Sequence, residues 1–259
     1  MSQLEVDGVT LHFEIDGSPT APPLLLLNSL GTNLQMWGPQ VETLERSFRV
    51  VRFDCRGHGQ SGRSPSPIPI ERLALDALAL LDALKIARAN MCGLSLGGLI
   101  VMQIASQHPD RVERAVLANT AMRIGTSAGW NSRIAAVRAG GMAAVRDAVV
   151  RRFLSEGFRR AKPDLVMAIE QMLERTDPEG YVQACAAIRD ADMREATETI
   201  TAPSLVIAGA LDEATTPAQA EALRNAIHGA RLEILDAAHL SNVERPEEFS
   251  ALLASFLRE

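Results

Sequence analysis

The stretch MCGLSLGGLI, residues 91–100, places Ser95 between two glycines where an apolar strand should pass into a helix. In a parallel α/β sheet, ligands bind at the carboxyl ends of the strands. A Gly-x-Ser-x-Gly turn there exposes the serine hydroxyl, because Gly93 and Gly97 let strand and helix pack closely. The motif alone is weak evidence, since glycine and serine are common residues. Its position between a strand and a helix strengthens it.

Apolar strands alternate with helices along most of the chain. Short apolar runs are typical of strands that are covered on both faces, and apolar residues at helical spacing indicate helices. Strands are predicted at 9–17, 22–29, 48–54, 89–93, 112–120, 202–209 and 231–236, and helices at 70–85, 96–108, 217–227 and 246–257. This alternation predicts a mostly parallel sheet with helices on both faces.

Residues 122–195 break the alternation. They contain six glycines and short amphipathic stretches such as 142–154, with no persuasive strand. We therefore expect a helical cap at 122–195, inserted between the two parts of an α/β core at 1–121 and 196–259. The alternative is a surface layer of helices without a functional part.

Ser95 needs a base, because a hydroxyl is a poor nucleophile until its proton is removed. Among five histidines, His239 is the candidate, since it follows the last strand and so lies at a carboxyl end. Asp212 follows the preceding strand and would hold the histidine tautomer. Its rivals are Glu213, which we expect to point elsewhere, and Asp236, which we expect to cap its loop. Surface or capping positions are predicted for His12, His108 and His228.

Composition argues against several other classes of protein. The 259 residues carry a formal net charge of −6 and no basic or aromatic–basic run, so we expect no nucleic-acid partner. The longest aliphatic run, 24–27, is too short to span a bilayer, and no signal-peptide pattern is visible. We therefore expect a cytoplasmic protein without a membrane partner.

Three scattered cysteines, Cys55, Cys92 and Cys185, are predicted to be packing residues in a reducing compartment. They have no metal-ligand spacing, so we expect neither a metal nor another cofactor. The oligomeric state stays open, and a homo-oligomer is one option.

Taken together, the motifs resemble the α/β-hydrolase family over nearly the whole chain. The matching segments are GLSLG (93–97), DCRGHGQSG (54–62), the loop around Asp212, and HLSNVERPEEF (239–249). The resemblance implies an α/β-hydrolase fold with an eight-stranded sheet. It implies a catalytic triad of Ser95, Asp212 and His239, which follow the chain order of this family. It also implies an oxyanion hole formed by the backbone N–H groups of Leu30 and Leu96.

One segment departs from most of the family. Relatives usually carry His-Gly after the third strand, where this chain has Asn28 and Ser29 in NSLGTNLQMW (28–37). This segment and CGLSLGG (92–98) resemble the 3-oxoadipate enol-lactonases, a branch of the family. The resemblance implies a bacterial enzyme of aromatic catabolism, in the β-ketoadipate pathway, that opens a small lactone bearing a carboxylate. By the same analogy, His58 belongs to a structural turn.

The carboxylate of such a substrate needs a cation in an apolar cleft. Arg133 and Trp130 are three residues apart and would share one helix face. We expect Arg133 to bind the carboxylate and Trp130 to line the pocket, unless they are a solvated arginine and a packing tryptophan. Two other arginines are rivals: Arg123 and Arg138. Weaker candidates for the pocket are Trp37 and Met122.

Other functions remain open on this sequence. A carboxylesterase or perhydrolase acting on small neutral esters is the closest alternative and would have a neutral pocket. A ligand receptor with the same fold is another, although a receptor need not retain all three triad residues. A dehalogenase is disfavoured, because its nucleophile would be an aspartate at the position of Ser95.

Overall fold

The computed structural model describes residues 2–259, and an eight-stranded sheet forms its centre. The strands are β1 (Ser2–Val6), β2 (Val9–Asp16), β3 (Pro23–Leu27), β4 (Arg49–Phe53), β5 (Ala89–Leu94), β6 (Val112–Ala118), β7 (Ser204–Gly209) and β8 (Arg231–Leu235). Their order across the sheet is β1-β2-β4-β3-β5-β6-β7-β8. Only the β1–β2 and β2–β4 pairs are antiparallel, so the prediction of a mostly parallel eight-stranded sheet is confirmed.

The central strands are buried on both faces. All four leucines at 24–27 in β3 are fully buried. Successive side chains of a strand point to opposite faces, so both faces of the sheet are covered there. The edge strand β8 differs, since most of its side chains are partly or fully exposed. Because β5, β6, β7 and β8 are parallel, the carboxyl ends of β5, β7 and β8 lie at the same edge of the sheet.

Helices connect and cover the strands. They are α1 (Gly38–Leu44), α2 (Ile70–Ala83), α3 (Leu96–Gln107), α4 (Ser127–Gly140), α5 (Ala143–Phe153), α6 (Glu156–Ala161), α7 (Pro163–Arg175), α8 (Pro178–Asp190), α9 (Arg194–Glu198), α10 (Pro217–Ala226), α11 (Ser241–Glu244) and α12 (Pro246–Leu257). None of the helices in residues 2–259 combines the length and the apolar character that crossing a bilayer requires.

Six of these helices, α4–α9, fill the connection between β6 and β7, and we call residues 127–198 the helical segment. Local signals set several of their ends. Thr126 caps α4 by accepting a hydrogen bond from the Gly129 N–H at 3.1 Å, and Asp177 caps α8 in the same way. The division of the chain at residues 121 and 195 stays a prediction.

One of the contacts between the helical segment and the core is made by two glycines. A Cβ on Gly57, whose φ is +73°, would lie 2.4 Å from the Cα of Gly180 in α8. Only glycine fits this close approach of two backbones. Nearby, Thr176 donates a hydrogen bond to the carbonyl oxygen of Gly31 at 3.2 Å. The N-terminal end of α8 is therefore fixed directly on the loops that follow β3 and β4.

Histidine and cysteine positions test two further predictions. The three cysteines are buried and unbridged, as predicted. The prediction for His12 is wrong: this residue is buried, and its Nδ1 lies 2.9 Å from Asp54 Oδ2. The loop after β4 folds over β2, and Ser61 accepts a hydrogen bond from the His12 backbone there. His108 is half-buried at the end of α3, and His228 is exposed.

Candidate active site

Ser95 occupies a strained turn between β5 and α3. Its φ of 57° and ψ of −109° lie in a region that residues with a side chain rarely adopt. The turn is held by hydrogen bonds, since the Ser95 N–H donates to the Ala118 carbonyl at 2.9 Å. A Cβ on Gly93 would lie 2.1 Å from the Gly97 oxygen, and one on Gly97 would lie 2.2 Å from the Leu27 oxygen. The two glycines are therefore required by the crossing of β5, α3 and β3.

His239 and Asp212 form a buried pair on the loops after β8 and β7. The Nδ1 of His239 donates to Oδ2 of Asp212 at 2.8 Å, and both side chains are almost fully buried. The imidazole also stacks on Phe153 of α5, with ring centroids 5.5 Å apart. Because Nδ1 carries the proton that faces the carboxylate, Nε2 is the ring nitrogen that can accept another proton.

Asp212 is held as a carboxylate by five donors. Besides His239, Oδ2 accepts from the hydroxyl of Thr215 at 2.7 Å and from Nδ2 of Asn119 at 3.0 Å. Oδ1 accepts from the N–H groups of Ala214 and Thr215. Burial raises the pKa of Asp212, but the charge of His239 and these hydrogen bonds outweigh burial and lower the pKa to about 2. The group therefore stays ionised at neutral pH.

Asn119 is a member of this network that the sequence reasoning missed. Its Nδ2 donates to Asp212 and to the Ala238 carbonyl, while its Oδ1 accepts from the Ser241 hydroxyl at 2.5 Å. Asn119 thus joins the loops that follow β6, β7 and β8. Its position near the end of the predicted strand 112–120 was a usable signal, because asparagine is uncommon within strands.

A cavity of about 580 Å³ lies between the core and the helical segment. The core contributes polar residues that include Ser29, Ser95, Glu213 and His239, together with Leu30. The helical segment contributes two arginines and a mainly apolar wall: Trp130, Arg133, Val145, Val149, Arg152, Phe153 and Ile188. Its volume suits a small organic ligand. Ser95 and His239 therefore face the same enclosed space.

Arg133 and Trp130 both line this cavity, on one face of α4. The guanidinium carbon of Arg133 lies 4.8 Å from the centroid of the Trp130 ring, a cation–π contact. The indole is fixed in turn, because its Nε1 donates to the Ile124 carbonyl at 2.7 Å. The rival arginines lie outside the cavity: Arg123 is 3.8 Å from Asp192, and Arg138 is 3.8 Å from Glu179.

Two further residues line the cavity, and two expected ones do not. Glu213 lines it, while the carboxylate that pairs with His239 is that of Asp212. Arg152 also lines it, and its position in the predicted helix 142–154 gave no sign of this. Trp37 and Met122 are outside the cavity, so their prediction as pocket residues is wrong. Trp37 is fully buried and donates to Asn28, and the Met122 sulfur accepts from Thr197.

Asp236 and His58 make structural contacts outside the cavity. Asp236 is exposed and pairs with Arg245 at 2.8 Å, away from the imidazole of His239. His58 is buried and outside the cavity, where its Nδ1 donates to the Arg56 carbonyl at 3.0 Å. Burial lowers the pKa of His58, which favours the neutral ring.

The backbone near Ser95 offers donors to a ligand. Leu96 is the first residue of α3, so its N–H has no partner within the helix. Leu30 follows β3 and lines the cavity. Helix N-termini favour negative charge, which suits an oxyanion at Ser95. Residues 2–259 contain no group of three or more histidine, cysteine or carboxylate side chains arranged for a metal ion.

Known proteins share this architecture over the whole chain. The profile of the alpha/beta hydrolase fold family matches residues 22–246. The chain is 39% identical to 3-oxoadipate enol-lactonase 1 of Acinetobacter baylyi, over 97% of this chain and 94% of that protein. It is 36% identical to 3-oxoadipate enol-lactonase 2 of the same organism, over 98% and 96%.

Two solved structures have nearly the same backbone. The enol-lactonase from Burkholderia xenovorans LB400 is 46% identical, covers 100% of both chains and has a TM-score of 0.98. A hydrolase from Pseudomonas aeruginosa PA01 is 42% identical, covers 99% of this chain and 97% of that one, and has a TM-score of 0.96. The chain therefore belongs to the α/β hydrolase family, as a carboxylic ester hydrolase.

Proposed function

We propose that this protein is a serine hydrolase that opens 3-oxoadipate enol-lactone to 3-oxoadipate, a step of the β-ketoadipate pathway. One observation carries the proposal: Ser95 on its strained turn, His239, which is paired with the buried Asp212, and Arg133 all border one cavity. The full-length similarity to two enol-lactonases supports the choice of substrate.

In the first half of the reaction, Nε2 of His239 accepts the proton of Ser95, and the serine oxygen attacks the lactone carbonyl. Asp212 keeps the imidazole in the required tautomer and stabilises its cation through the 2.8 Å hydrogen bond. The N–H groups of Leu30 and Leu96 donate to the oxyanion. The ring carbon–oxygen bond then breaks, and His239 returns the proton to the departing enol oxygen.

In the second half, the opened chain stays attached to Ser95 as an acyl-enzyme. Its enol oxygen remains on the same molecule, so ring closure competes with hydrolysis. We infer that the helical segment acts as a cap that holds the opened chain away and that ketonisation removes the enol nucleophile. His239 then takes a proton from water, the water oxygen attacks the acyl carbonyl, and 3-oxoadipate leaves as Ser95 regains its proton.

Arg133 is proposed to bind the carboxylate of the lactone. Its guanidinium is half-buried against the Trp130 ring, and no carboxylate of residues 2–259 forms an ion pair with it. It also lies close to Tyr181, where burial raises the pKa of the phenol and the charge of Arg133 opposes that rise. Because this wall of the cavity is partly shielded from water, a charge-assisted hydrogen bond between Arg133 and a carboxylate is stronger there than in solution.

The test compares 3-oxoadipate enol-lactone with a small neutral aryl ester, both followed by absorbance. Ser95→Ala should abolish turnover of both substrates. Arg133→Ala should raise KM for the lactone by about 10- to 100-fold, because a hydrogen bond to a charged group contributes about 1.5–3 kcal/mol. It should leave KM for the neutral ester within about twofold, since that substrate has no carboxylate.

Arg138→Ala is the matched control, because Arg138 lies on the same helix but outside the cavity. An unchanged KM for the lactone in Arg133→Ala would show that Arg133 does not bind the carboxylate. Turnover of the neutral ester alone would leave Ser95 as nucleophile and refute the lactone as substrate.

A further inference from the structure

Ser29 has a buried hydroxyl that the fold does not use. The residue is 2% exposed, and its Oγ makes no hydrogen bond within residues 2–259. It is also one of the residues that line the cavity beside Ser95 and His239. A buried hydroxyl without a partner destabilises a protein, so such a group calls for a ligand or another explanation.

The Asn28 side chain and the backbone of Ser29 both have structural partners. The Asn28 side chain donates to the Phe53 carbonyl at 2.8 Å and accepts from Trp37 at 2.9 Å. The backbone of Ser29 is fixed on both sides: its N–H donates to the Met36 sulfur, and its carbonyl accepts from Thr32. The two residues that replace the usual His-Gly therefore differ in role. The Asn28 side chain holds the loop in place, and the hydroxyl of Ser29 makes no structural hydrogen bond.

Ser29 and Ser95 follow the ends of two neighbouring strands. In the β3–β5 pair the last paired residues are Leu27 and Gly93, and Ser29 and Ser95 each come two residues after them. Neighbouring strands are about 5 Å apart. The carbonyl of Asn28 accepts from the Gly97 N–H at 3.0 Å, which holds the first turn of α3 against the loop after β3. Ser29 also directly precedes Leu30 in the chain.

We propose that the hydroxyl of Ser29 donates a third hydrogen bond to the substrate carbonyl oxygen as it becomes an oxyanion, beside the N–H groups of Leu30 and Leu96. The inference rests on the proposed serine-hydrolase mechanism. No proton is transferred in this contact: Ser29 keeps its proton and donates it only as a hydrogen bond. Charge grows on the oxygen in the transition state, so the contact strengthens there more than in the bound substrate.

The test uses Ser29→Ala, which removes the donor, and Ser29→Cys, whose thiol is slightly larger than the hydroxyl but donates only weakly. Both variants should lower kcat by about 10- to 100-fold, the loss expected for one hydrogen bond to a charged group, and change KM by less than about threefold, on the lactone and on the neutral aryl ester. Phenylboronic acid forms a tetrahedral adduct with an active serine. Its affinity should weaken by a similar factor, because the adduct resembles the transition state.

Ser250→Ala is the control for removal of a buried serine hydroxyl far from the cavity. Ser250 donates to the Pro246 carbonyl at 2.6 Å within α12, so its loss should lower Tm by about 2–4 °C and leave the kinetics unchanged. Ser29→Ala should show the opposite pattern, with Tm unchanged or raised and kcat reduced.

A kcat within about twofold of wild type in both Ser29 variants would overturn the proposal. A rise in KM with unchanged kcat would also overturn it, because the contact would then be made equally in the bound substrate. The neutral ester separates this inference from the proposed substrate: if the lactone is not hydrolysed, the effect on the ester still decides the role of Ser29.

Discussion

Replacing Asp212 by asparagine tests the proposed mechanism most directly, because the change alters hydrogen bonding with almost no change in size. Five donors converge on the two oxygens of Asp212. An asparagine supplies one oxygen and an NH2 group. If its oxygen accepts from the N–H groups of Ala214 and Thr215, its NH2 faces His239. The imidazole must then accept at Nδ1 and carry its proton on Nε2, which leaves no base for Ser95.

The expected loss can be scaled from this change of tautomer. A serine hydrolase triad with this substitution loses about 10⁴-fold in kcat, which corresponds to about 5.5 kcal/mol of transition-state stabilisation. The new NH2 group also faces the Nδ2 of Asn119, which is another donor. The substitution should therefore also lower the free energy of unfolding, by less than it costs the transition state. We expect kcat of Asp212→Asn to fall by about 10³- to 10⁵-fold with KM changed much less.

The assay is steady-state hydrolysis of the lactone and of a neutral aryl ester. Asp236→Asn is the matched control, since Asp236 is close to His239 in the chain but exposed and paired with Arg245. Exposed ion pairs contribute about 0–1 kcal/mol, so this variant should keep its activity within about twofold. If Asp212→Asn kept kcat within about tenfold of wild type, the assignment of Asp212 as the partner of His239 would be refuted.

Two further predictions concern stability. Gly57→Ala should destabilise the fold by about 1–3 kcal/mol more than Gly8→Ala in urea unfolding. Both glycines have φ near +70°, but only Gly57 is crowded, by Gly180, so equal losses in the two variants would contradict the close contact. Because the pKa of Asp212 is lowered to about 2, the ionised carboxylate adds about 2 kcal/mol to the free energy of unfolding. This contribution is present above about pH 4 and is lost as the pH falls to about 2. The stability difference between wild type and Asp212→Asn should shrink by that amount over this interval, and a constant difference would contradict the lowered pKa.

The strand positions and the turn at Ser95 could be predicted from the sequence because they depend on local patterns. The apolar run at 24–27 predicts a strand covered on both faces, because successive side chains of a strand alternate between its two faces and all four leucines are apolar. The turn at Ser95 could be predicted because Gly93 and Gly97 lie where the backbones of β5, α3 and β3 cross.

The residues of the cavity wall were harder to predict from the sequence, because they depend on how the helices of the helical segment pack on the core. Arg152 and Glu213 line the cavity through that packing, and no local pattern distinguishes them from exposed charges. His12 was mispredicted for a related reason: the loop at 54–62 covers it, and that contact joins residues distant in the chain. Asn119 was missed because an asparagine after a strand is common in ordinary turns.

The contact between Gly57 and Gly180 limits how the helical segment can be exchanged between related enzymes. The interface there consists of two backbones, so no choice of side chain can improve it and every larger residue adds atoms where there is no room. A grafted segment therefore needs glycine at the position of Gly180, whatever its remaining sequence. The cavity-lining side chains of α4 and α5 lie on other helices, so changing them leaves this backbone contact in place.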